Sequence, residues 1–244
     1  IERIDSMPHS TYIEPFVGMG GVFLRRGWRP KCEVANDLNG EITNLFRILQ
    51  RHLPQFLEVM RFQITSRREF ERLRDSDPAT LTDLERAARF IYLQRLGFGG
   101  KLGGVFGVAT DHAPRFSLSK LEPILDAAHT RLDGVVLENL PWQDVITRWD
   151  CAQALIYLDP PYWGGEKDYG KGMFSSDDFA KIAEVLAGIK GSFLLSINDV
   201  PEIRRIFDGF EFEEVSLTYS VSAAGRTEAK ELLISNRSDS SKLL

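Results

Sequence analysis

The sequence has few cysteines, and no apolar run is long enough to cross a membrane. Its 244 residues include two cysteines, Cys32 and Cys151. Neither has a second cysteine or a histidine at the short spacing of a zinc site, and the four histidines are scattered, so we expect no metal. No segment approaches the roughly 20 consecutive apolar residues of a bilayer-spanning helix, and the first residues are too polar for a secretory leader. We therefore expect a cytoplasmic protein in a reducing compartment, with no membrane partner.

Positive charge is not in excess either. The formal net charge is -5, which argues against a protein that binds polyanions without specificity. Residues 51–139 carry 13 lysines and arginines against 12 aspartates and glutamates, whereas the rest of the chain carries 17 against 23. A phosphate backbone would be tolerated best in this middle part of the sequence.

The two ends of the sequence alternate between strand and helix patterns, as α/β proteins do. A glycine-rich turn at 16–21 separates the first predicted strand from a helix predicted at 22–26. The closing segments 210–222 and 231–235 are predicted to form an antiparallel pair. The other predicted strands are 11–13, 32–35, 135–137, 154–158 and 192–197, and further helices are predicted at 41–51 and 176–187.

The middle of the sequence loses this strand character and predicts helices at 55–61, 67–75 and 82–96. Thr82 and Glu85 have the spacing of a capping box, which marks the start of the third of these helices. The glycine-rich segment 96–107 is too flexible for a helix and favours a β-hairpin or a mobile loop. We therefore predict one domain formed by 1–51 and 133–237, an inserted helical subdomain at 52–132, and a disordered tail at 238–244.

The tetrapeptide Asp159-Pro160-Pro161-Tyr162 carries the most specific chemical signal. It follows the apolar run 154–158, and open α/β sheets bind ligands beyond the carboxyl ends of their strands. An amine on an aromatic base is a poor nucleophile because its lone pair is delocalised into the ring. A carboxylate at Asp159 and the free carbonyl of Pro160 could accept both N–H bonds and direct the lone pair at an electrophilic methyl group.

Tyr162 would offer a face on which a flipped-out base can stack. The alternative reading of the tetrapeptide is a diproline that ends a strand, followed by a core tyrosine.

Two weaker signals accompany the tetrapeptide. Glycines after the first strand let the backbone approach a ligand, although the full dinucleotide-binding and phosphate-loop patterns are missing. Asp37 stands where an acidic side chain holds ribose in nucleoside-binding α/β folds, or where it simply caps the next helix.

Taken together, these segments resemble the Dam-like (D12 class) adenine-specific DNA methyltransferases over nearly the whole chain. The order of cofactor motif, recognition insert and catalytic motif is the same. The resemblance implies a Rossmann-like, S-adenosylmethionine-dependent methyltransferase sheet, with 52–132 as a mostly helical, DNA-binding target-recognition subdomain. The similar segments are 12–24, 36–39, 90–100, 159–162 and 196–199. The Lys-Trp-x-Gly-Gly-Lys segment that usually precedes the cofactor motif is not in this sequence, so we expect cofactor affinity to be affected.

The resemblance implies site-specific methyl transfer from S-adenosyl-L-methionine to N6 of a flipped-out adenine in double-stranded DNA. A cognate restriction endonuclease is a further partner that it allows, and we expect a monomer. The implied catalytic residues are Asp159, Pro160, Pro161 and Tyr162. The implied cofactor-binding residues are Glu14, Pro15, Phe16, Gly18, Gly20, Asp37, Leu38, Trp142, Gln143, Asp144 and Asp159, and the DNA-binding candidates are Arg95, Gly99, Lys101 and Arg115.

Three other readings stay open at this point. Methylation of cytosine N4 uses the same amine chemistry, although the related tetrapeptide there more often begins with serine. A relative that binds DNA or cofactor without turnover is a second possibility, and methylation of RNA or protein is a third. Each of the three charged DNA-binding candidates, Arg95, Lys101 and Arg115, can also be ordinary solvated surface charge.

Overall fold

The structure is a computed structural model that describes residues 1–100, 104–108, 115–166, 172–219 and 227–236. The chain forms two compact units, the first made of residues 1–38 and 138–244 and the second of residues 39–137. Within the described residues, no helix is long and apolar enough to cross a membrane. The predicted tail at 238–244 lies outside the described residues.

Seven strands form one sheet in the described part of the chain, in the spatial order β3-β2-β1-β4-β5-β7-β6. Strand β1 pairs in parallel with β2 and β4, and β4 pairs in parallel with β5. Strand β7 is antiparallel to both β5 and β6. The strands are β1 Thr11–Glu14, β2 Cys32–Asn36, β3 Val136–Glu138, β4 Ala154–Leu158, β5 Ser192–Asn198, β6 Glu211–Tyr219 and β7 Thr227–Ser235.

The central strands are apolar because both faces of the sheet are covered, as in other α/β folds. Every residue of β4 is buried, and so are the first six of β5. The described residues contain eight α-helices: α1 Glu2–Asp5, α2 Gly40–Met60, α3 Arg67–Asp75, α4 Asp83–Leu96, α5 Leu118–Leu132, α6 Trp142–Trp149, α7 Ser176–Ala187 and α8 Pro201–Ile206.

The second unit is helical, and α4 packs against both α2 and α3, while α5 packs against α2. Helix α2 is kinked at His52, whose φ of -133° and ψ of 29° are not helical. Pro54 explains the kink, because proline lacks an N–H donor and its ring clashes with the carbonyl of the preceding turn. The predicted break between the helices at 41–51 and 55–61 therefore corresponds to this kink. The unit begins before the predicted insert boundary at 52.

One predicted helix is wrong. Residues 22–26 form only a short 3-10 turn, Phe23–Arg25. Arg26 leaves this turn with an extended backbone. Its guanidinium is buried, lies 3.6 Å from the centre of the Tyr12 ring and forms an ion pair with Glu33 at 3.3 Å. A continued helix would not allow this extended backbone at Arg26.

Other elements follow the sequence patterns more closely. Strands β6 and β7 form the predicted antiparallel pair, although residues 220–222 lie outside the described residues. The predicted hairpin is present as an isolated bridge between Gly97 and Phe106. Helices α1, α5, α6 and α8 were not predicted. Helix α8 has only six residues, too few for a helical periodicity to stand out.

We predict that Thr82→Ala destabilises the protein by about 1 kcal/mol. The Thr82 side chain accepts a hydrogen bond from the Glu85 backbone N–H, and the Glu85 carboxylate accepts one from the Thr82 backbone N–H, so the predicted capping box is present. Urea denaturation measures the change. Thr65→Ala is the matched control because Thr65 is exposed and precedes the cap residue of α3, and an equal loss in both variants would contradict the capping role.

Candidate active site

The parallel pairing of β1 with β4 brings the two predicted motifs together. Ile13 lies beside Ile156 in this pair, so the segments that follow β1 and β4 leave the sheet at the same edge. The strand order reverses between these two strands. Such a reversal opens a crevice beyond the carboxyl ends, where α/β sheets bind ligands.

The glycine-rich turn after β1 is held against the end of β2. The Val17 backbone N–H donates to the Asn36 carbonyl at 2.9 Å, and the Gly18 N–H donates to Asp37 Oδ2 at 2.9 Å. Gly18 and Gly20 have φ values of 51° and 73°, a backbone region that glycine adopts without strain. Asp37 is fully buried. In this structure its carboxylate supports the turn, and its role toward ribose stays a prediction.

Asn36 connects three chain segments at this edge. Its side-chain amide donates to the Pro15 carbonyl at 2.8 Å and to the Leu140 carbonyl at 3.1 Å, and its Oδ1 accepts the Leu140 N–H at 2.9 Å. Nearby, the Asn139 amide donates to the Asp37 carbonyl at 2.7 Å. Because Asn36 is buried, these bonds are protected from water, and they fix the glycine turn relative to the segment before α6.

The tetrapeptide follows β4 directly, and its residues differ in exposure. Asp159 is exposed, Pro160 is buried, and Pro161 and Tyr162 are half-buried. The pKa of the Asp159 carboxyl is raised from its ordinary value of 3.8 to about 6, first because the surrounding protein excludes water and second because the negative charge of Glu231 is near. Asp159 is therefore accessible as a residue, while the protein around it partly shields its carboxyl group from water.

Two side chains from the neighbouring strands hold the end of the tetrapeptide. The Tyr162 hydroxyl donates a hydrogen bond to the Glu231 carboxylate on β7. Asn198, at the end of β5, accepts the Trp163 N–H at 2.8 Å and donates to the Trp163 carbonyl at 3.2 Å. A turn follows, in which the Gly165 N–H donates to the Tyr162 carbonyl at 2.8 Å.

A chain of aromatic rings joins the glycine turn to the segment after the tetrapeptide. The Phe16 ring centre lies 6.4 Å from that of Trp142 and 5.8 Å from that of Phe174. Phe174 contacts Phe179 at 5.0 Å, and Phe179 contacts Trp163 at 5.3 Å. Edge-to-face and tilted pairs of this kind stabilise beyond the area they bury. The rings therefore fix the two motifs in one arrangement.

Buried polar side chains of β1 and β4 lie near this edge of the sheet. Glu14 is 3% exposed, and its Oε1 accepts the Tyr12 hydroxyl at 2.5 Å. Burial and the Glu14 charge raise the pKa of Tyr12. The pKa of Tyr157 is raised by burial first and then by the charges of Asp159 and Glu14. Glu14 and Asp159 therefore act on the same tyrosine from the two neighbouring strands.

The structure brings some of the predicted residues together and leaves others apart. Trp142 is buried against Phe16, whereas Leu38 and Asp144 are exposed. Gln143 lines a cavity of about 650 Å³ between α6 and α7, and none of the tetrapeptide residues line it. The predicted contacts of these residues with a cofactor stay predictions.

The predicted DNA contacts lie in the second unit. Arg95 is half-buried near the end of α4, Arg115 is exposed, and Gly99 is exposed with a φ of 64°. Phe98 stands beside Gly99 with 71% of its surface exposed, and its N–H donates to the Val105 carbonyl at 2.9 Å across the hairpin. Lys101 lies outside the described residues.

Sequence reasoning missed three residues of this site. Asn36 was placed only in a similar segment, without a role, and Asn198 was placed likewise. The position of each directly after or at the end of a parallel strand is a signal that could have singled them out. Glu231 left no such signal, because a glutamate in an edge-proximal strand is usually a surface residue.

The sheet, its crevice and the buried polar edge define the class of the protein as an α/β enzyme with the fold of S-adenosylmethionine-dependent methyltransferases. The chain belongs to the D12 class of N6 adenine-specific DNA methyltransferases, whose family model matches residues 1–221. Methylation of adenine in DNA is therefore its activity.

Individual relatives agree with this assignment. The chain is 24% identical to the type II methyltransferase M.CviBI of Paramecium bursaria Chlorella virus NC1A, over 86% of this chain and 81% of that protein. It is 26% identical to the DNA adenine methylase of Haemophilus influenzae, over 91% and 82% of the two chains. A solved structure of precorrin 8W decarboxylase from Methanobacterium thermoautotrophicum matches with a TM-score of 0.41 and 12% identity, over 96% and 85%. That likeness carries no argument.

We predict that Asp159→Asn stabilises the protein more at pH 7 than at pH 4. The folded state raises the pKa of this carboxyl to about 6, so folding binds a proton more tightly and stability falls as the pH rises from about 4 to 6. Asparagine removes the charge and with it this loss. Urea denaturation at the two pH values measures the difference. Asp208→Asn, at an exposed aspartate, is the control and should show no such gain.

Proposed function

We propose that the protein transfers the methyl group of S-adenosyl-L-methionine to N6 of an adenine flipped out of double-stranded DNA, at Asp159. The observation that carries this proposal is the position of Asp159, an exposed residue with a partly desolvated carboxyl group, directly after the strand that pairs with β1 and its glycine turn. A catalytic carboxyl must be reachable by substrate and also partly removed from water. Asp159 meets both conditions.

The glycine turn fits the proposed cofactor. A Cβ placed on Gly18 would meet nothing within 4 Å, so open space lies beside this part of the backbone and a ligand can approach it closely. Glu14, Pro15 and Phe16 enter the turn from β1. Once bound, the cofactor supplies a sulfonium-activated methyl group, whose carbon bonds to N6 while sulfur keeps the electron pair of the broken bond.

Asp159 and Pro160 activate the amine in this proposal. The Asp159 carboxylate accepts one N–H of the adenine amine, and the Pro160 carbonyl, which precedes a second proline without an N–H, accepts the other. These two bonds localise the nitrogen lone pair and point it at the methyl carbon. The proton leaves N6 for the Asp159 carboxylate or for water as the new bond forms. With a pKa of about 6, the carboxyl is ionised at neutral pH and ready to accept.

Tyr162 holds the flipped base. Stacking of a base on an aromatic ring contributes about 1–3 kcal/mol, comparable to the few kcal/mol that unstacking a base costs. Tyr162 is half-buried and its hydroxyl is hydrogen-bonded to Glu231. This bond restrains the orientation of the ring. Pro161 fixes the backbone between the carboxyl group and this ring.

The hairpin of the second unit is our proposed DNA contact. Phe98 and Val105 expose 71% and 64% of their surfaces, and proteins that deform DNA insert apolar side chains between base steps. Arg95 and Arg115 supply positive charge for the phosphates, and Gly99 gives the hairpin its left-handed turn. Lys101, the cytoplasmic location, the monomeric state and a restriction partner stay predictions.

We predict that Asp159→Ala lowers the rate of methyl transfer at least about 100-fold, the usual contribution of a positioned general base. The measurement is transfer of labelled methyl to plasmid DNA, with the modified base identified by nucleoside mass spectrometry. Asp208→Ala is the matched control. Full activity in the Asp159 variant would contradict the proposed role of Asp159. N4-methylcytosine as the product would contradict adenine as the methylated base.

We predict that Phe98→Ala weakens DNA binding about tenfold or more while cofactor binding is unchanged, because the apolar contact with the base steps is lost. Fluorescence anisotropy with labelled duplex measures the first quantity and calorimetry the second. Phe62→Ala serves as the control, since Phe62 lies in the same unit outside the hairpin and is 81% exposed. Equal effects of the two variants would argue against insertion of Phe98.

A further inference from the structure

Two residues that face each other across β5 and β7 both reach the tetrapeptide. Asn198 and Glu231 are partners in the antiparallel ladder of these strands. Residues paired in this way have their side chains close together on one face of the sheet. One of them binds the backbone of Trp163 and the other binds the side chain of Tyr162.

Asn198 fixes the backbone at Trp163. Its side chain accepts from the N–H and donates to the carbonyl of the same residue, at 2.8 and 3.2 Å. The N–H and the carbonyl of Trp163 belong to the peptide units on either side of its Cα, so the two bonds restrain both position and rotation of the backbone at this residue, as a single bond does not. The segment after the diproline has no ladder of its own, so this side chain takes the place of a strand partner.

Glu231 fixes the tyrosine ring. It is 5% exposed, and its carboxylate accepts the Tyr162 hydroxyl. A buried carboxylate is costly unless it is hydrogen-bonded, and here it also lies near the Asp159 carboxyl. Side chains alternate between the two faces of a strand, so Leu233 and Ser235 share the face of Glu231, and Glu231 is the charged residue among these three.

We propose that Asn198 and Glu231 are positioning residues for methyl transfer, which together hold the tetrapeptide so that the Tyr162 ring and the Asp159 carboxyl meet the same base. This proposal rests on the proposed function. Asn198 sets the backbone path after Pro161, and Glu231 sets the orientation of the ring at its hydroxyl end. A displacement of about 1 Å at a reacting group can reduce the rate about 100-fold, so the effect falls on kcat.

The strand pair offers a matched control at its opposite end. Asn236 accepts the Phe193 N–H at 3.2 Å and donates to the Gly191 carbonyl at 3.0 Å. It therefore makes the same two kinds of bond as Asn198, away from the carboxyl edge. Glu211 on β6 is an exposed glutamate and is the control for Glu231.

The experiment measures kcat and KM on a duplex with the sequence that the wild-type protein methylates. We expect Asn198→Ala and Glu231→Ala to lower kcat about tenfold or more, while KM for DNA changes less than threefold. Asn236→Ala and Glu211→Ala should keep kcat within twofold of wild type, even where Asn236→Ala lowers the urea midpoint. Glu231→Gln retains an acceptor oxygen and should recover most of the rate.

A double-mutant cycle tests the contact with Tyr162. If Glu231 acts through the hydroxyl, Tyr162→Phe and Glu231→Ala each lower kcat, and the double variant is no slower than the slower single variant. In the same series, 2-aminopurine at the target position should show an altered fluorescence enhancement on binding, since its stacking on the ring has changed. Fully additive losses with unchanged fluorescence would overturn the proposal.

Different results would contradict the proposed function and the positioning role of Asn198 and Glu231. If the wild-type protein produced no methylated adenine, or if Asp159→Ala were fully active, the proposed function would fall. If the wild type were active and Asn198→Ala and Glu231→Ala matched their controls in kcat, the positioning role alone would fall. Should Asn198→Ala not fold, Asn198→Asp, which keeps the acceptor for the Trp163 N–H, gives the same comparison.

Discussion

The pairing of β1 with β4 is the constraint on which the rest of the structure depends. These strands are far apart in the sequence, separated by the whole second unit, yet they are hydrogen-bonded neighbours in the sheet. Their pairing places the glycine turn and the tetrapeptide at one crevice. The strand order sets which segments are adjacent. The Asn36 hydrogen bonds and the aromatic chain from Trp142 to Trp163 then fix the positions of these segments.

Acidic groups dominate the chemistry of this edge, and each has a distinct environment. Glu14 and Glu231 are buried and accept hydrogen bonds from the tyrosines Tyr12 and Tyr162, while Asp37 accepts from a backbone amide. Asp159 is the exposed member of this set, and its pKa is raised. In the proposed function, this negative charge would favour the cationic methyl donor, and Asp159 would be the carboxyl group that accepts the proton.

The second unit differs from the first in that its core is formed by helices alone. Helices α2, α3, α4 and α5 bury their apolar faces against one another, and its hairpin exposes Phe98 and Val105, which a self-contained domain would bury. Exposed aromatic residues beside glycine on a short hairpin are more typical of a contact surface than of a scaffold. The unit therefore combines a helical core with exposed apolar side chains at the hairpin, and Phe62 and Ile64 are exposed elsewhere in it.

The sequence by itself determined the strands of the first unit, helix α7 and the capping box of α4, because these depend on periodicity and local hydrogen bonding. It also predicted the chemistry of Asp159-Pro160-Pro161-Tyr162 from the residue types and their place after a buried strand. It misjudged the helix at 22–26, where Arg26 has an extended backbone and its buried guanidinium pairs with Glu33, seven residues further along the chain in β2. Only the tertiary structure decided that Asn198 and Glu231 hold the tetrapeptide, that Asp37 lies buried beneath the glycine turn, and that the Asp159 pKa is raised. Those facts depend on which strands become neighbours and on how much water the folded protein excludes. Both are properties of the whole fold, so no local sequence pattern predicts them.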